Sequence, residues 1–443
     1  MIDRIIKRDG RIVAFDRAKI ASAVYRSAIA VGGRDQEEAE RVTDDALKLL
    51  EARHAPDTYP TVEEVQDVVE KALIERGHAR TAKAYIVYRY EHALKRKGKE
   101  SLTYAEENIP YRKLWEALSW ATDQNCVTLA QLSEIVSSGR FGKLIEASDG
   151  FYRSEVEAAA EKILERREEV RIVIVAGPSS SGKTTTTIKV KEHLAQKGIS
   201  TVPLTVDNYF FDLETHPKIG KDDHDFETPQ ALDLELINEH LAALVEGRTV
   251  QVPRYDFKTG LRGKETDPLR LKDNEVLLID SLHGLFPEMT SSVGEERKFR
   301  LYIETLSQLK GADGRYIRWA DVRMLRRVVR DMQFRNYTPR QTIRHWHLVR
   351  RSELRYIVPR LRDAHAIVNS FLPYELPIMK GRAARFLQPC IEEFAKDPER
   401  EDALERARRV EAMFAQFPAV TDESAVPRDS LLREFIGGSY YAY

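Results

Sequence analysis

The stretch that most constrains this chain is VRIVIVAGPSSSGKT at residues 170–184. An apolar, β-branched segment is followed by a turn rich in glycine and serine and then by the start of a helix. Gly177, Gly182, Lys183 and Thr184 fit the pattern G-x-x-x-x-G-K-[ST]. Glycines let backbone N–H groups turn inward, and a helix N-terminus adds partial positive charge. The stretch therefore predicts a site for a nucleoside triphosphate, with Lys183 on the outer phosphates and Thr184 on Mg²⁺.

Composition limits the class of protein. The chain has 443 residues, 42% of them hydrophobic and 32% charged, so we expect two to four domains with real cores. A net charge of −1 gives no overall attraction to nucleic acid or to anionic membranes. The first residues are unlike a signal peptide, and Cys126 and Cys390 are too far apart to resemble a metal motif. We expect a soluble, cytoplasmic protein with neither nucleic acid nor a membrane as partner.

Changes in pattern divide the chain into four segments. Residues 1–96 begin with a hairpin signal around Asp9 and continue as helices, one of them opened by a capping box of Thr61 and Glu64. Residues 97–168 are predicted to be a helical connector without chemistry of its own. Residues 169–395 alternate strands with helices, and residues 396–443 form a last helix and a tail.

The third segment predicts an α/β fold. Its strands are expected at 170–176, 200–206, 275–280, 298–304 and 364–369. Long apolar strands of this kind form a parallel sheet that helices cover on both faces.

Two carboxylates are predicted to stand beside the phosphate loop. Asp207 follows the second strand and Asp280 ends the strand EVLLID, so both lie at carboxyl ends of parallel strands, where ligands collect. Asp207 could accept a proton from an acceptor hydroxyl and help to hold Mg²⁺, or it could be a turn or N-cap residue. Asp280 has the form of a second acid on the Mg²⁺ side.

Two polar, aromatic loops and an arginine-rich helix complete the candidates. The loops at 223–227 and 253–257 could line an acceptor pocket or could be ordinary surface. Arg323, Arg326, Arg327 and Arg330 recur at spacings of three and four, with Arg335 beyond them. Their shared face could clamp a moving phosphoryl group or could be a solvated basic face.

Five segments in order, GPSSSGKTT, TVDNYF, DFETPQALDLE, PRYDF and RRVVRD, resemble the uridine kinase and phosphoribulokinase family of phosphate-loop kinases. The resemblance covers about residues 168–395 and is strongest to a bacterial branch of uridine kinase-like nucleoside kinases, which shares the RRxVRDxxFR and LREFIGGS forms. It implies ATP and Mg²⁺ as cofactors. By position it implies ATP binding by Gly177, Ser179, Ser180, Ser181, Gly182, Lys183, Thr184 and Thr185.

The resemblance also implies the remaining roles. Lys183, Asp207 as general base and Arg330 would be catalytic, and the metal ligands would be Thr184, Asp207 and Asp280. The acceptor would meet Asp225, Tyr255, Arg327 and Arg335. Two positions depart from the family pattern: Gly260 stands where uridine kinases have a base-contacting histidine, and Asp280 stands where a glutamate is usual.

Residues 1–95 resemble the ATP-cone, a nucleotide-sensing module. The matching segments are IKRDG, FDRAKI, TVEEVQ and AYIVYR. By position Lys7, Arg8 and Lys19 would contact the phosphates of an adenine nucleotide effector. A hairpin bearing Lys7 and Arg8 beside a helix bearing Lys19 is also a reasonable phosphate site by itself. The alternative is a small packing domain that has lost its ligand.

Three functions remain open from the sequence. The first is a kinase that phosphorylates a hydroxyl of a nucleoside or similar polyol, regulated at the ATP-cone. The second keeps the mechanism but takes a sugar phosphate, as in phosphoribulokinase. The third is a nucleotide-responsive regulatory protein without an acceptor. In each case we expect a homo-oligomer.

Overall fold

The computed structural model describes residues 2–6, 12–54, 58–86, 109–216, 218–219, 223–224, 227–256, 259–397 and 400–442. The chain divides into two compact units, Met1–Ala105 and Glu106–Tyr443. The predicted boundary at 96 lies outside the described residues, and the predicted subdivisions at 168 and 395 stay predictions. None of the described helices combines the length and the apolar character that crossing a membrane requires.

The first unit is a small hairpin followed by helices. Strands β1 (Arg4–Ile6) and β2 (Ile12–Ala14) pair antiparallel, and α1 (Arg17–Ala30), α2 (Gln36–Glu51) and α3 (Val62–Glu75) follow, with further helix at 79–86. Val24, Val42 and Leu73 belong to its buried core. The predicted capping box is present, since Thr61 accepts from the Glu64 backbone while the Glu64 side chain accepts from Thr61 N.

The second unit contains the remaining elements. Its strands are β3 (Ile172–Ala176), β4 (Ser200–Thr205), β5 (Lys218–Ile219), β6 (Asp223–His224), β7 (Val250–Asp256), β8 (Leu261–Leu269), β9 (Glu275–Ser281), β10 (Lys298–Glu304) and β11 (Ala366–Asn369). Its helices are α4 (Tyr111–Asp123), α5 (Leu129–Ser137), α6 (Phe141–Leu164), α7 (Lys183–Gln196), α8 (Leu234–Val245), α9 (Trp319–Phe334), α10 (Pro339–Ser352), α11 (Glu375–Phe394), α12 (Glu401–Phe414) and α13 (Arg433–Ile436).

The five predicted strands form one parallel sheet in the order β11-β10-β3-β9-β4. Successive side chains of a strand face opposite sides. In β3, Ile172 and Ile174 accordingly join one buried core, and Val173 and Val175 join the other. Burial on both faces explains the continuous apolar runs, and it confirms the predicted α/β fold.

The predicted connector is part of the same packing. Helix α6 lies against α7, where Tyr152 Oη and Thr186 Oγ1 are 2.8 Å apart. Glu155 of α6 accepts from the backbone N–H of Asn369, at the end of β11, at 3.2 Å. These contacts fix α7, and with it the loop that precedes this helix, against the sheet.

Candidate functional site

The phosphate loop is shaped by two glycines. Gly177 lies so close to the backbone of Ile303 on β10 that a β-carbon would collide with the Ile303 carbonyl oxygen. Gly182 has a φ of +92°, a left-handed conformation that side chains rarely adopt, and a β-carbon there would meet Leu431. The loop thus needs glycine at both motif positions for reasons visible in its packing.

Lys183 and Thr184 open α7 directly after the loop. Lys183 Nζ donates to the Pro178 carbonyl at 3.1 Å, which folds the amine back over the loop. Burial lowers the pKa of Lys183, and the nearby carboxylates of Asp280 and Glu434 oppose that effect. Thr184 Oγ1 donates to Asp280 Oδ2 at 3.2 Å, which brings two of the predicted metal ligands together.

Asp280 and Asp207 both face this centre. Burial raises the pKa of Asp280 to about 6, with Lys183 acting against the rise. Asp207 is solvent-accessible, but the surrounding protein still desolvates its carboxylate and raises its pKa above the usual value, while Lys183 and Arg335 lower it. Asp207 in turn contributes to the raised pKa of Asp280, so the two carboxylates lie within electrostatic range of each other.

The oxygen donors fit a small divalent cation. Thr184 and Asp280 offer a hydroxyl and a carboxylate, the hard ligands that Mg²⁺ prefers. Across the described parts of the chain no group of three or more His, Cys, Asp or Glu side chains could hold a metal. The remaining ligands of an ion here would therefore be nucleotide phosphates and water, the usual arrangement for Mg²⁺.

The prediction that Arg323 and Arg326 share a phosphate-clamping face, or else a solvated one, is wrong. Both side chains are buried, at 1% and 0% exposure. Arg323 pairs with Glu304 at 2.8 Å and with Glu353, and it donates to the Ser179 carbonyl at 3.1 Å. A buried guanidinium has five donors to satisfy, and carboxylates and loop carbonyls take most of them here, although Arg323 Nε forms an ion pair without a hydrogen bond. These arginines hold the underside of the phosphate loop.

The other three arginines surround one buried carboxylate. Asp331 accepts from Arg330 at 3.0 Å and from Arg327 at 3.3 Å, and Arg335 Nε lies 3.8 Å away. Arg330 lies close enough to Lys183 to lower the pKa of that amine. Arg327 also donates to Glu227 at 2.9 Å and to Ser179 Oγ at 3.1 Å. Arg330, Arg327 and Arg335 are thus gathered at the edge of the loop.

Of the loop residues predicted to contact the acceptor, the structure describes Tyr255 but not Asp225. Asp225 lies outside the described residues. Tyr255 is buried on β7, where its ring lies 5.5 Å from that of Phe210 and its N–H donates to Asn208 Oδ1 at 3.3 Å. Gly260 has a φ of +69°, and a β-carbon there would lie 2.9 Å from Leu213 Cβ. The position that departs from the uridine kinase pattern is therefore constrained by its backbone.

Two side chains near the loop were missed by sequence reasoning. His283, two residues after β9, is buried at 3% exposure, and burial lowers its pKa to about 4. Glu434 of α13 accepts from the backbone N–H of Thr185 at 3.1 Å and from Thr185 Oγ1 at 2.6 Å. The only signal for Glu434 was its place in the LREFIGGS segment, and nothing in the sequence indicated its contact.

In the first unit, one of the three predicted effector contacts is described. Lys19 is an exposed residue of α1 and pairs with Asp16 at 3.2 Å. Lys7 and Arg8 lie outside the described residues.

Family comparisons agree with this geometry. The family model "ATP cone domain" matches residues 3–94, and "Phosphoribulokinase / Uridine kinase family" matches residues 172–375. A uridine kinase of Deinococcus deserti is 30% identical over 198 residues, which are 44% of this chain and 86% of that protein. The chain belongs to the phosphoribulokinase/uridine kinase family. As a member of this family it is a kinase with a phosphate loop that binds nucleotide.

A second curated relative and a solved structure are also similar to this chain. A uridine kinase of Macrococcus caseolyticus is 30% identical over 199 residues, 44% of this chain and 86% of that protein. Among solved structures, a possible uridine kinase from Bacillus stearothermophilus aligns with a TM-score of 0.30 and 20% identity over 34% of this chain and 79% of that one. The family match leaves the ATP-cone, the connector and the segment after 375 outside the kinase family's own region.

Proposed function

We propose that the protein is an ATP- and Mg²⁺-dependent kinase that transfers the γ-phosphoryl group to a hydroxyl of a nucleoside or a related polyol. The observation that carries this proposal is Asp207. Its carboxylate is solvent-accessible and within electrostatic range of Lys183 and Asp280, and desolvation by the surrounding protein holds its pKa above the usual value. A base that takes a proton from an alcohol needs this position beside the phosphoryl donor.

The proposed chemistry is an in-line displacement. Asp207 accepts the proton of the acceptor hydroxyl while the oxygen of that hydroxyl forms a bond to the γ-phosphorus. The bond from that phosphorus to the bridging oxygen breaks, and ADP keeps the electron pair. Mg²⁺, held by Thr184 and Asp280, would neutralise charge on the phosphates. Lys183 and Arg330 would stabilise the charge that spreads over the moving phosphoryl oxygens.

An acceptor screen tests this proposal. ATP consumption is measured by a coupled assay against nucleosides, polyols and sugar phosphates, with the Asp207→Asn variant beside the wild type. We expect one acceptor class to raise ATP consumption, and the variant to lose about 10²- to 10⁴-fold in kcat. Undiminished turnover by the variant would remove Asp207 from the role of base.

A sugar-phosphate acceptor is the second candidate. Gly260 replaces the histidine that reads the pyrimidine, and the exposed guanidinium of Arg335 could pair with a phosphate on the acceptor. Higher activity with a sugar phosphate than with any nucleoside would favour this candidate. ATP hydrolysis that no acceptor changes would instead favour a regulatory nucleotide switch.

We also propose that adenine nucleotide at the ATP-cone regulates the kinase. The support is the family match over residues 3–94 together with the exposed ammonium of Lys19. An effector acts only through different affinities for two states. Titrating ATP and dATP against activity, in the wild type and in Lys19→Gln, tests this. Identical curves for both proteins would contradict the assignment of Lys19.

A further inference from the structure

The C-terminal segment places a carboxylate on the phosphate loop. Glu434 is 9% exposed, and its Oε2 accepts two hydrogen bonds from Thr185, at 3.1 Å from the backbone N–H and 2.6 Å from the hydroxyl. Thr185 is fully buried and is the third residue of α7. Two donors of the first helical turn behind the phosphate loop are therefore taken by an acidic side chain from 249 residues away.

These two donors belong to an anion-binding position. The first N–H groups of a helix have no partner within the helix, and together with the helix dipole they favour a negative charge. In α7 the N–H of Thr186 bonds to the Gly182 carbonyl, so the hydrogen bonds within the helix begin one residue after Thr185. A phosphate oxygen at the place of Glu434 Oε2 would form the same two bonds. Glu434 thus makes the contacts that an anion would make there.

Glu434 is held at this position by its neighbours. Asp429 pairs with Lys189 of α7 at 3.1 Å, and Ser430 Oγ donates to the buried Asp149 at 2.9 Å. Leu431 packs beneath Gly182. The segment therefore has a fixed place against α7, although it lies beyond residue 375, where the kinase family match ends.

We propose that Glu434 competes with the phosphates of ATP for Thr185 and thereby sets the affinity of the phosphate loop for nucleotide. This inference rests on the proposed use of the loop for ATP. A bound triphosphate would either displace the carboxylate from Thr185 or stand beside it against charge repulsion. Both cases weaken binding relative to a chain without the charge, and the C-terminal segment becomes a determinant of donor affinity.

The test is to remove the charge and keep the hydrogen-bond acceptor. Glu434→Gln retains an oxygen for Thr185, so the packing of α13 is preserved. We expect about tenfold tighter binding of ATP and of inorganic tripolyphosphate, a modest value for repulsion between close charges at a partly solvated site. Glu157→Gln is the matched control, because it removes one exposed carboxylate from the neighbouring helix α6 and is expected to change neither affinity.

The outcomes separate the two proposals. Calorimetry on the full chain measures both ligands, and thermal melting shows that each variant is folded. Unchanged or weaker binding by folded Glu434→Gln overturns the competition, as does equal tightening by the control. If Glu434→Gln does not fold, Glu434→Asp takes its place, because the shorter side chain moves the carboxylate away from Thr185. This variant must then bind ATP more tightly than the wild type. Absence of ATP binding by the wild type would instead refute the proposed function.

Discussion

The guanidinium of Arg326 and the carboxylate of Glu375 form a fully buried, two-point ion pair, with Nε and Nη2 at 2.6 and 2.9 Å from the two carboxylate oxygens. The same arginine donates to the carbonyls of Ser181 at 3.2 Å and Ser370 at 2.6 Å. One side chain from α9 thus ties the phosphate loop to the segment between β11 and α11.

Breaking this pair should destabilise the kinase unit strongly. In Glu375→Gln the Arg326 charge stays buried without its counter-charge, which costs about 3–5 kcal/mol of unfolding free energy. Urea unfolding measures the loss. The exposed pair of Arg340 and Glu393 is the control, and Glu393→Gln should cost about 1 kcal/mol or less. Equal losses of unfolding free energy in the two variants would mean that the buried pair stabilises the fold no more than the exposed pair does.

The raised pKa of Asp280 predicts a pH-dependent stability in the absence of nucleotide and Mg²⁺. The folded protein holds this proton up to about pH 6, whereas an unfolded aspartate releases it near ~3.9. The folded state binds more protons in that window, so the free energy of unfolding falls as pH rises through it and stays lower above it. Asp280→Asn removes this penalty. We expect the variant to be more stable than the wild type by about 3 kcal/mol at pH 7.5 and equally stable at pH 3.5.

Denaturant titrations at the two pH values check this prediction, with the exposed Asp273→Asn as a control that should show no such difference. A stability gap of the same size at both pH values would show that the asparagine acts by some route other than the proton.

His283 should contribute to acceptor binding. The ring is buried and lies near the Glu227 backbone, but neither ring nitrogen forms a hydrogen bond of good geometry within the described part of the chain, and Tyr356 packs on it edge-to-face at 6.0 Å. Unpaired buried polar atoms are costly, and a bound acceptor could satisfy them. We expect His283→Phe to stabilise the free protein and to raise KM for the acceptor about 5- to 100-fold, while KM for ATP is unchanged. Steady-state kinetics with an acceptor from the screen decide this, and an unchanged acceptor KM would identify His283 as a packing residue only.

Gly260 should resist replacement. Gly260→Ala introduces a left-handed alanine and a contact with Leu213, and both lower stability, by about 1–3 kcal/mol together. Gly314 has a similar φ of +73° with nothing within 4 Å, so Gly314→Ala isolates the backbone part of the cost. Thermal melting of both variants measures the difference. If the two variants lose the same amount of melting temperature, the contact with Leu213 adds nothing to the cost of the substitution.

The features that could be predicted from the sequence are those that neighbouring residues determine. Lys183 and Thr184 are positioned by the loop that contains them, and Asp280 follows from the apolar strand predicted at 275–280, so the loop and the five strands could be inferred. The environments of Arg323 and Arg326 could not, because their partners Glu353 and Glu375 lie 30 and 49 residues further along the chain. An arginine that faces solvent and one that is buried with a glutamate look the same in a helical repeat.

The contact between Thr185 and Glu434 also bears on biosynthesis. The two residues are 249 positions apart, and translation adds about 5–20 residues per second. For roughly 12–50 s after Thr185 has been made, no ribosome has yet supplied the residues that pack beneath Gly182 and cover Thr185. The nucleotide site of this kinase therefore completes its packing only after residue 434 has been made, later than the five strands of the sheet. Translation that stops before residue 434 yields a chain whose phosphate loop lacks this support.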